Sequence, residues 1–410
     1  LAPDDSRVAV LLGNILSDIQ DLPGAISAYR EGLKGDAHDP YLYYNLALSL
    51  LRAGNLEEAA LYFARSIELA PTGQMAVTSH AHLGQLYFSQ NRLEMAADHL
   101  NRAVQLAPAN AKYLYNLAVV YMRMGQNERA IELLDRALAT SSDEGRVYRS
   151  LALAYQELGL VSRAESALQK ALFANPNDLS ALQDLGELYT KEKHLVKALD
   201  IYKRIVNITP GDSNTREALL ALSRIYTDLE RPVDALDMLE RARELSPGDT
   251  AVEASRAATL ARSGRIDEAV QLYRQLLTAK LEREDEQRLR LELGRLYRSH
   301  GGYDLAIAQF QLNLARAKED PPRADLVSEM ELARTYVRLS RPELARKHYE
   351  AVLASPAVSA AMRQEAHLEL AQALTTSPDR NDQDEARRHA SQATRMAPDS
   401  ARARLVQGRV

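Results

Sequence analysis

Apolar residues return every three or four positions through segment after segment of this chain, the period of a helix that buries one face. The stretch from Ala111 to Thr140 shows the pattern clearly. Leu114, Leu117 and Tyr121 form one stripe, and Ala130, Leu134 and Ala137 form a second that faces it. Gly125 falls between the stripes, at the left-handed position that closes a helix, and Gly54, Gly159, Gly264 and Gly301 take the same place elsewhere. Pro71, Pro108, Pro176, Pro210, Pro247 and Pro398 stand where the second helix of a pair must stop. No run keeps the two-residue alternation of a half-buried strand over a useful length, so the pattern predicts an all-α fold.

The helical pairs recur. Alanine occupies residues 25, 59, 96, 130, 164, 198, 235, 269, 306, 345 and 386, at intervals of 34 to 41. A small residue precedes each alanine by twelve positions, fifteen for the last: Gly13, Ala47, Gly84, Ala118, Ala152, Gly186, Ser223, Ala257, Gly294, Ala333 and Ala371. Two small residues per unit mark a close approach of paired helices, so the spacing predicts about 11 complete two-helix units plus partial units at both ends. Leu1-Ala2-Pro3 reads as the end of a unit, as Leu106-Ala107-Pro108 does, and Ala401 to Val410 starts a further first helix. The expectation is a longer parent chain that continues both ways.

Intervals between the small residues run 34, 37, 34, 34, 34, 37, 34, 37, 39 and 38, so extra residues accumulate toward the C-terminus. Residues 1–280 read as a regular array of units one to eight. Residues 281–410 read as a less regular array of units nine to eleven plus a partial first helix, continuous with the first. Glu253, Arg256 and Arg290 replace apolar positions in units eight and nine. A charge-dense junction runs from Glu282 to Arg290, and Pro321-Pro322 breaks the next one.

Composition narrows the function classes. With 46% hydrophobic and 26% charged residues, the 410-residue chain can bury enough surface to fold throughout. A formal net charge of -5 argues against nucleic-acid binding as a general property. The longest nearly uncharged apolar stretch, Tyr41 to Leu51, falls short of the roughly 18 residues a membrane span needs, so a soluble protein is expected. The absence of cysteine removes disulfides, thiolate metal sites and cysteine nucleophiles, and leaves bacterial cytoplasm and periplasm equally open. Arginine outnumbers lysine 41 to 10, the bias of a GC-rich bacterial genome.

Catalytic chemistry finds no foothold in the pattern. No HExxH, glycine-rich phosphate loop or nucleophile elbow occurs, so no catalytic residue, metal or cofactor is expected. His80 and His82 are two apart on one helix and point to different faces, as packing and groove residues do. Asp382, Asp384 and Glu385 fall where Pro378 and Asn381 signal a solvated turn. Tyr87, Tyr121, Tyr155 and Tyr189 recur every 34 residues, which is core spacing.

Unit two carries the fullest motif: Tyr43, Leu46, Ala47, Leu50, Ala59, Phe63, Ser66 and Pro71. In order and spacing these residues resemble the signature of the tetratricopeptide repeat, with Tyr43 where the family often has tryptophan. The resemblance covers nearly the whole chain. It implies a right-handed superhelical solenoid whose first helices line a concave groove, and a protein or peptide partner held there.

Carried onto this chain, the resemblance assigns a peptide-binding groove. Unit two contributes Tyr41, Tyr44, Asn45, Leu48, Leu51 and Arg52, and unit three His82, Gln85 and Phe88. Unit four contributes Tyr115, Asn116, Val119, Met122 and Arg123, and unit five Arg149. Amides there can hold a peptide backbone while aromatic rings cover its side chains. Asn45 and Asn116 match positions from which family members clamp a backbone or a terminal carboxylate. Val10 and Thr78, near Asn14 and Asn45, replace lysines that the chaperone-tail version requires, which argues against that version. Asn116 with Arg146 and Arg149 is a partial substitute suited to an acidic peptide.

A second set, Arg288, Arg295, Arg298, Arg334 and Arg338, falls on the groove side of units nine and ten and suits an anionic partner. Glu292 and Glu331 lie among these arginines and favour internal pairing. The function expected is a noncatalytic scaffold for protein partners. The alternative is a regulatory or docking arm of a larger enzyme, or of a polysaccharide or protein export machine.

Overall fold

Residues 6–318, 325–375, 377 and 379–409 are described by a computed structural model, and among them every regular element longer than a turn is an α-helix. The Leu1-Ala2-Pro3 motif, the proline pair Pro321-Pro322 and Pro378 lie outside the described residues. Contacts divide the chain into two units, residues 1–208 and 209–410. That division lies at a different place from residue 280, where the sequence spacing loosens.

The first unit contains α1 (Ser6–Asp18), α2 (Leu22–Gly35), α3 (Pro40–Arg52), α4 (Leu56–Leu69), α5 (Gly73–Ser89) and α6 (Leu93–Leu106). It continues with α7 (Ala111–Arg123), α8 (Asn127–Leu138), α9 (Glu144–Glu157), α10 (Val161–Ala174), α11 (Leu179–Lys191) and α12 (Leu195–Ile208). The second unit contains α13 (Ser213–Asp228), α14 (Pro232–Leu245), α15 (Thr250–Arg262), α16 (Ile266–Leu276), α17 (Arg283–Ser299) and α18 (Tyr303–Lys318). It ends with α19 (Leu326–Arg338), α20 (Pro342–Ala354), α21 (Ala360–Leu374), α22 (Arg380–Met396) and α23 (Ala401–Gln407). The odd-numbered first helix of each pair packs on the even-numbered second helix that follows, and within each unit second helices pack on the next first helix. These are the predicted helical-repeat pairs, with α23 as the further first helix.

The alanine rungs face the interior of each pair. All eleven are fully buried, and so are the small residues opposite them. Four residues after the rung a large side chain fills the gap: Tyr29, Phe63, Leu100, Tyr273, Phe310 and Tyr349 are examples. A methyl group added at Gly294 would lie 2.5 Å from the Phe310 ring, and one at Gly13 would lie 2.3 Å from Tyr29. The small residue is therefore dictated by the ring it faces.

The five glycines expected to end first helices all have positive φ. In five other pairs the same place, five residues before the rung, is taken by Gln20, Asn91, Lys193, Glu230 and Ser340, also at positive φ. The turn geometry is thus held by the packing on either side, at a cost of about 1 kcal/mol for each side chain so placed. Every proline expected to stop a second helix stands two residues beyond its last helical residue. First helices are opened by side-chain caps from Asp39, Asn110, Asp143, Asp178, Asp212, Asp249, Asp325, Ser359 and Ser400.

Two expectations from the sequence are corrected. Asp382, Asp384 and Glu385 sit in the opening turns of α22, which Asp379 caps by accepting the Asn381 amide at 2.9 Å; Asp382 and Glu385 pair with Arg346 of α20. The tyrosines spaced at 34 are core residues only in part. Tyr189 is buried, whereas Tyr87, Tyr121 and Tyr155 are half-buried, with Arg92, Arg129 and Arg163 lying over their rings. The polar intrusions in units eight and nine resolve as local pairs, Glu253 with Arg256 and Arg290 with Glu286.

Candidate functional site

In the first unit, first helices lie beside one another, and several expected groove residues are used up in that packing. Asn45 donates to Asn14 Oδ1 at 3.4 Å, and the same oxygen accepts the Tyr29 hydroxyl at 2.7 Å. Arg52 donates to Ser17 at 2.9 Å, and Arg149 donates to Asp184 at 2.7 Å. Tyr44, Leu48 and Leu51 lie against the buried cluster of Leu46, Phe63 and Leu83. His82 stacks on Phe63 at 5.2 Å between ring centres and faces Tyr44. Burial, with Lys112 and Arg52 nearby, lowers the His82 pKa and keeps the imidazole neutral. Phe88, Val119 and Met122 are half-buried, while Tyr41 and Arg123 are exposed. Val10 packs at the rim of the same cluster, and Thr78 turns its hydroxyl back to the carbonyls of Gln74 and Met75.

Four expected residues come together differently. Gln85, Tyr115, Asn116 and Arg146 line a cleft of about 640 Å³ bounded by α5, α7, α9 and the loops that precede α7 and α9. That volume lies within the range of ordinary ligand clefts. Tyr115 is fixed from two sides: its hydroxyl accepts from Ser150 at 3.1 Å, and the Arg146 guanidinium lies 4.4 Å over its ring. Asn116 Nδ2 is shielded from solvent and donates to nothing among the described residues. A buried donor without an acceptor costs about 1–3 kcal/mol.

The sequence did not point to Lys112 or to the Thr140–Asp143 edge, which complete this cleft. Thr140 closes the loop by donating to the Ala109 carbonyl at 2.8 Å, and Asp143 turns its carboxylate onto the Arg146 amide at 3.1 Å. Those residues belong to connections whose fold the helical period does not specify. Asp143 alone carried a signal, as an N-cap residue.

The second arginine set is largely self-paired. Arg288 holds Asp285 at 2.7 Å, and Arg295 holds Glu292 at 2.9 Å and Glu331 at 3.0 Å. Arg298 lies 2.5 Å from the far oxygen of Glu331, and Arg334 reaches Glu331, Glu365 and Glu369. Glu331 itself is only 2% exposed. Burial pushes its carboxyl up, and Arg298 and Arg295 more than reverse the effect, leaving it below the ordinary carboxylate value. Tyr349 donates its hydroxyl to Glu369 at 3.1 Å. Arg338 is exposed and has no ion pair among the described residues. Of the five arginines, the structure gathers Arg298, Arg334 and Arg338 around one cleft and adds Arg402, which the sequence reading missed because α23 belongs to the next repeat.

Imidazoles meet across helix pairs elsewhere. His80 Nδ1 lies 3.0 Å from His99 Nδ1, and His367 Nδ1 lies 2.7 Å from His389 Nδ1. Both pairs occupy one register, four residues before the small residue and three after the alanine. In α19 and α20 the same register holds Glu329 and His348 at 2.5 Å. Among the described residues, no three histidines, aspartates or glutamates are grouped to hold a metal, and no helix is long and apolar enough to cross a membrane.

Comparisons with known proteins agree with this architecture. A family model described as tetratricopeptide repeat matches residues 10–73, 149–213, 255–322 and 330–379, more than half of the chain. A second with that description matches 114–148, and one described as TPR repeat matches 84–125. A TPR repeat-containing protein of Methanocaldococcus jannaschii is 38% identical over 56 residues, 14% of this chain; the chain spans 10% of that relative's length. Among solved structures, the C-terminal part of a TPR repeat-containing protein from Cytophaga hutchinsonii is 14% identical with a TM-score of 0.53, over 60% of this chain and 98% of that one. A MamA protein is 28% identical with a TM-score of 0.39, over 41% of this chain and 90% of that one.

Proposed function

The chain belongs to the tetratricopeptide repeat family, and from that premise we propose that it is a noncatalytic scaffold holding an extended segment of a protein partner in the cleft between α7 and α9. The observation that carries this reading is the orphaned Asn116 Nδ2, an unpaired donor on a residue of the cleft wall, which an outward turn of the side chain would present to a bound carbonyl. A peptide backbone supplies such a carbonyl at every residue. Tyr115, pinned by Ser150 and Arg146, offers a ring face already in place, so little side-chain freedom is lost on binding. The exposed Gln85 amide and the Lys112 ammonium at the rim can take a second carbonyl or an acidic side chain.

Random peptides displayed on phage and selected on the full chain supply ligands of the required class. Fluorescence anisotropy then compares a selected peptide on the wild type and on Asn116→Ala. One hydrogen bond lost should weaken binding roughly three- to tenfold. Failure to select any peptide, or selected peptides indifferent to both Asn116→Ala and Tyr115→Ala, would overturn the assignment.

A further inference from the structure

The arginine cleft of the second unit has a volume of about 380 Å³. Arg298 of α17, Arg334 and Arg338 of α19, and Arg402 of α23 line it, with Glu369 of α21 the one carboxylate among them. With Glu331 and Glu365, which pair with Arg298 and Arg334 from behind the wall, four guanidiniums meet three carboxylates and leave a surplus of one positive charge, carried by the Arg338 and Arg402 side, in a chain whose net charge is -5. The surplus is therefore local and opposite in sign to the whole.

The nearby carboxylates are already committed. Glu369 receives Arg334 Nε at 2.9 Å and the Tyr349 hydroxyl at 3.1 Å, and Glu331 lies buried beneath Arg295, Arg298 and Arg334. Those contacts fix Arg298 and Arg334 as a rigid cationic floor. Arg338 and Arg402 stand apart from this order. Arg402 comes no closer than 3.8 Å to Glu369 with its side chain 54% exposed, and Arg338 has no ion pair among the described residues. Val337 and Ala373 supply apolar wall, and Gln372 supplies an amide.

We propose that this cleft binds the side-chain carboxylate of an acidic residue in an extended segment of a protein partner, gripped by Arg338 and Arg402. A guanidinium fork matches a carboxylate in shape and charge. The methylenes of a glutamate lie against Val337 and Ala373, and Arg298 and Arg334 add an attractive field without having to move. This second site uses different helices and a different chemistry from the Asn116 cleft, and stands without it.

The test uses the full chain and a fluorescein-labelled peptide of alternating glutamate and serine with an amidated C-terminus. The expected result is binding that weakens with salt, and at least roughly tenfold weaker binding of the same peptide with glutamine for glutamate. Arg338→Glu and Arg402→Glu should each weaken the acidic peptide by roughly tenfold or more, while Arg395→Glu on α22 makes the same charge change outside the cleft and leaves affinity unchanged. Arg338→Gln and Arg402→Gln repeat the test without charge reversal, and circular dichroism confirms that each variant is folded.

Equal binding of the glutamate and glutamine peptides would overturn the proposal, as would losses no larger than that of Arg395→Glu. A glutamine peptide with a free C-terminus binding as well as the acidic one would assign the cleft to chain ends and contradict the side-chain reading. Displacement of the acidic peptide by inorganic phosphate but not by acetate, at constant ionic strength, would likewise contradict it. The variants lie on α19, α22 and α23 and the cleft is built wholly from helices of the second unit, so failure here leaves the Asn116 reading standing, and failure there leaves this one.

Discussion

Asn116 of α7 and Glu331 of α19 occupy the same place in their repeats, two residues before the small residue that meets the second helix. Their surroundings differ completely. Asn116 keeps a shielded donor with no acceptor, whereas Glu331 is enclosed by three arginines. One residue after the small residue, α7 carries Val119 and α19 carries Arg334. In the second unit that arginine reaches the glutamate of the next first helix, Arg295 to Glu331 and Arg334 to Glu369, so these two positions are satisfied internally and only the guanidiniums beside them, Arg338 and Arg402, stay open. The repeat framework thus leaves these two positions free, and their chemistry decides whether a first-helix surface is open to a partner or satisfied internally.

The largest expected effect separates the two positions by stability. Glu331→Gln leaves three arginines without their shared buried partner and should destabilise the second unit by about 3 kcal/mol. Asn116→Ala removes no intramolecular hydrogen bond and relieves a shielded unpaired donor, so it should leave stability unchanged or raise it by up to about 1 kcal/mol. Urea denaturation followed by far-ultraviolet circular dichroism reads both. Equal losses would break the distinction between an open and a closed surface.

A smaller effect should be shared by the two units, because the rungs are built alike. Gly294→Ala drives a methyl group to 2.5 Å from Phe310, and Gly186→Ala drives one to 2.9 Å from Tyr202. Overpacking of this kind costs about 1–3 kcal/mol, with the tighter Gly294 at the upper end. A Gly294→Ala protein as stable as the wild type would show that the helix pairs adjust more freely than their close packing implies.

At neutral pH the histidine pairs should give the smallest effect, and it should grow on acidification with the same sign in both units. Burial first and the facing imidazole second push His80 and His367 down to about 4, from an ordinary 6.5. Arg102 near His80 and Arg363 near His367 act in the same direction, while Asp98 and Glu385 favour the protonated forms of the partners His99 and His389. The folded state therefore binds fewer protons than the unfolded chain between these values. Its stability is present in full above 6.5 and is lost as pH falls toward 4. Replacing both residues with asparagine should flatten that part of the curve of urea midpoint against pH. A slope unchanged by the double substitution would contradict the assignment.

The framework was legible because its determinants are periodic. Every alanine rung expected from spacing is buried, and five glycines announced the left-handed turn. Lys193, Glu230 and Gln20 adopt the same turn without announcing it, since their side chains carry no left-handed preference and the flanking helices impose the geometry. The α22 start was misread because Asn381 suggested a turn, while the cap that decides the matter, Asp379, stands just before the helix.

Site residues on first helices were partly legible. Tyr115, Asn116 and Gln85 meet at the cleft, but Asn45, Arg52 and Arg149 are occupied by neighbouring first helices. Position in the repeat identifies the face; only the neighbour's side chain determines whether a group on it is free. Arg402 and His389 escaped for the same reason, their partners lying on other helices.

The central claim is that the Asn116 side-chain amide takes its missing acceptor from a bound peptide. The most direct measurement is the nitrogen–proton correlation of the Asn116 side chain in the full chain, assigned with Asn116→Ala and recorded during titration with a selected peptide. The account predicts that one Asn116 amide proton moves downfield as the peptide saturates. An unmoved Asn116 resonance at full occupancy would contradict it.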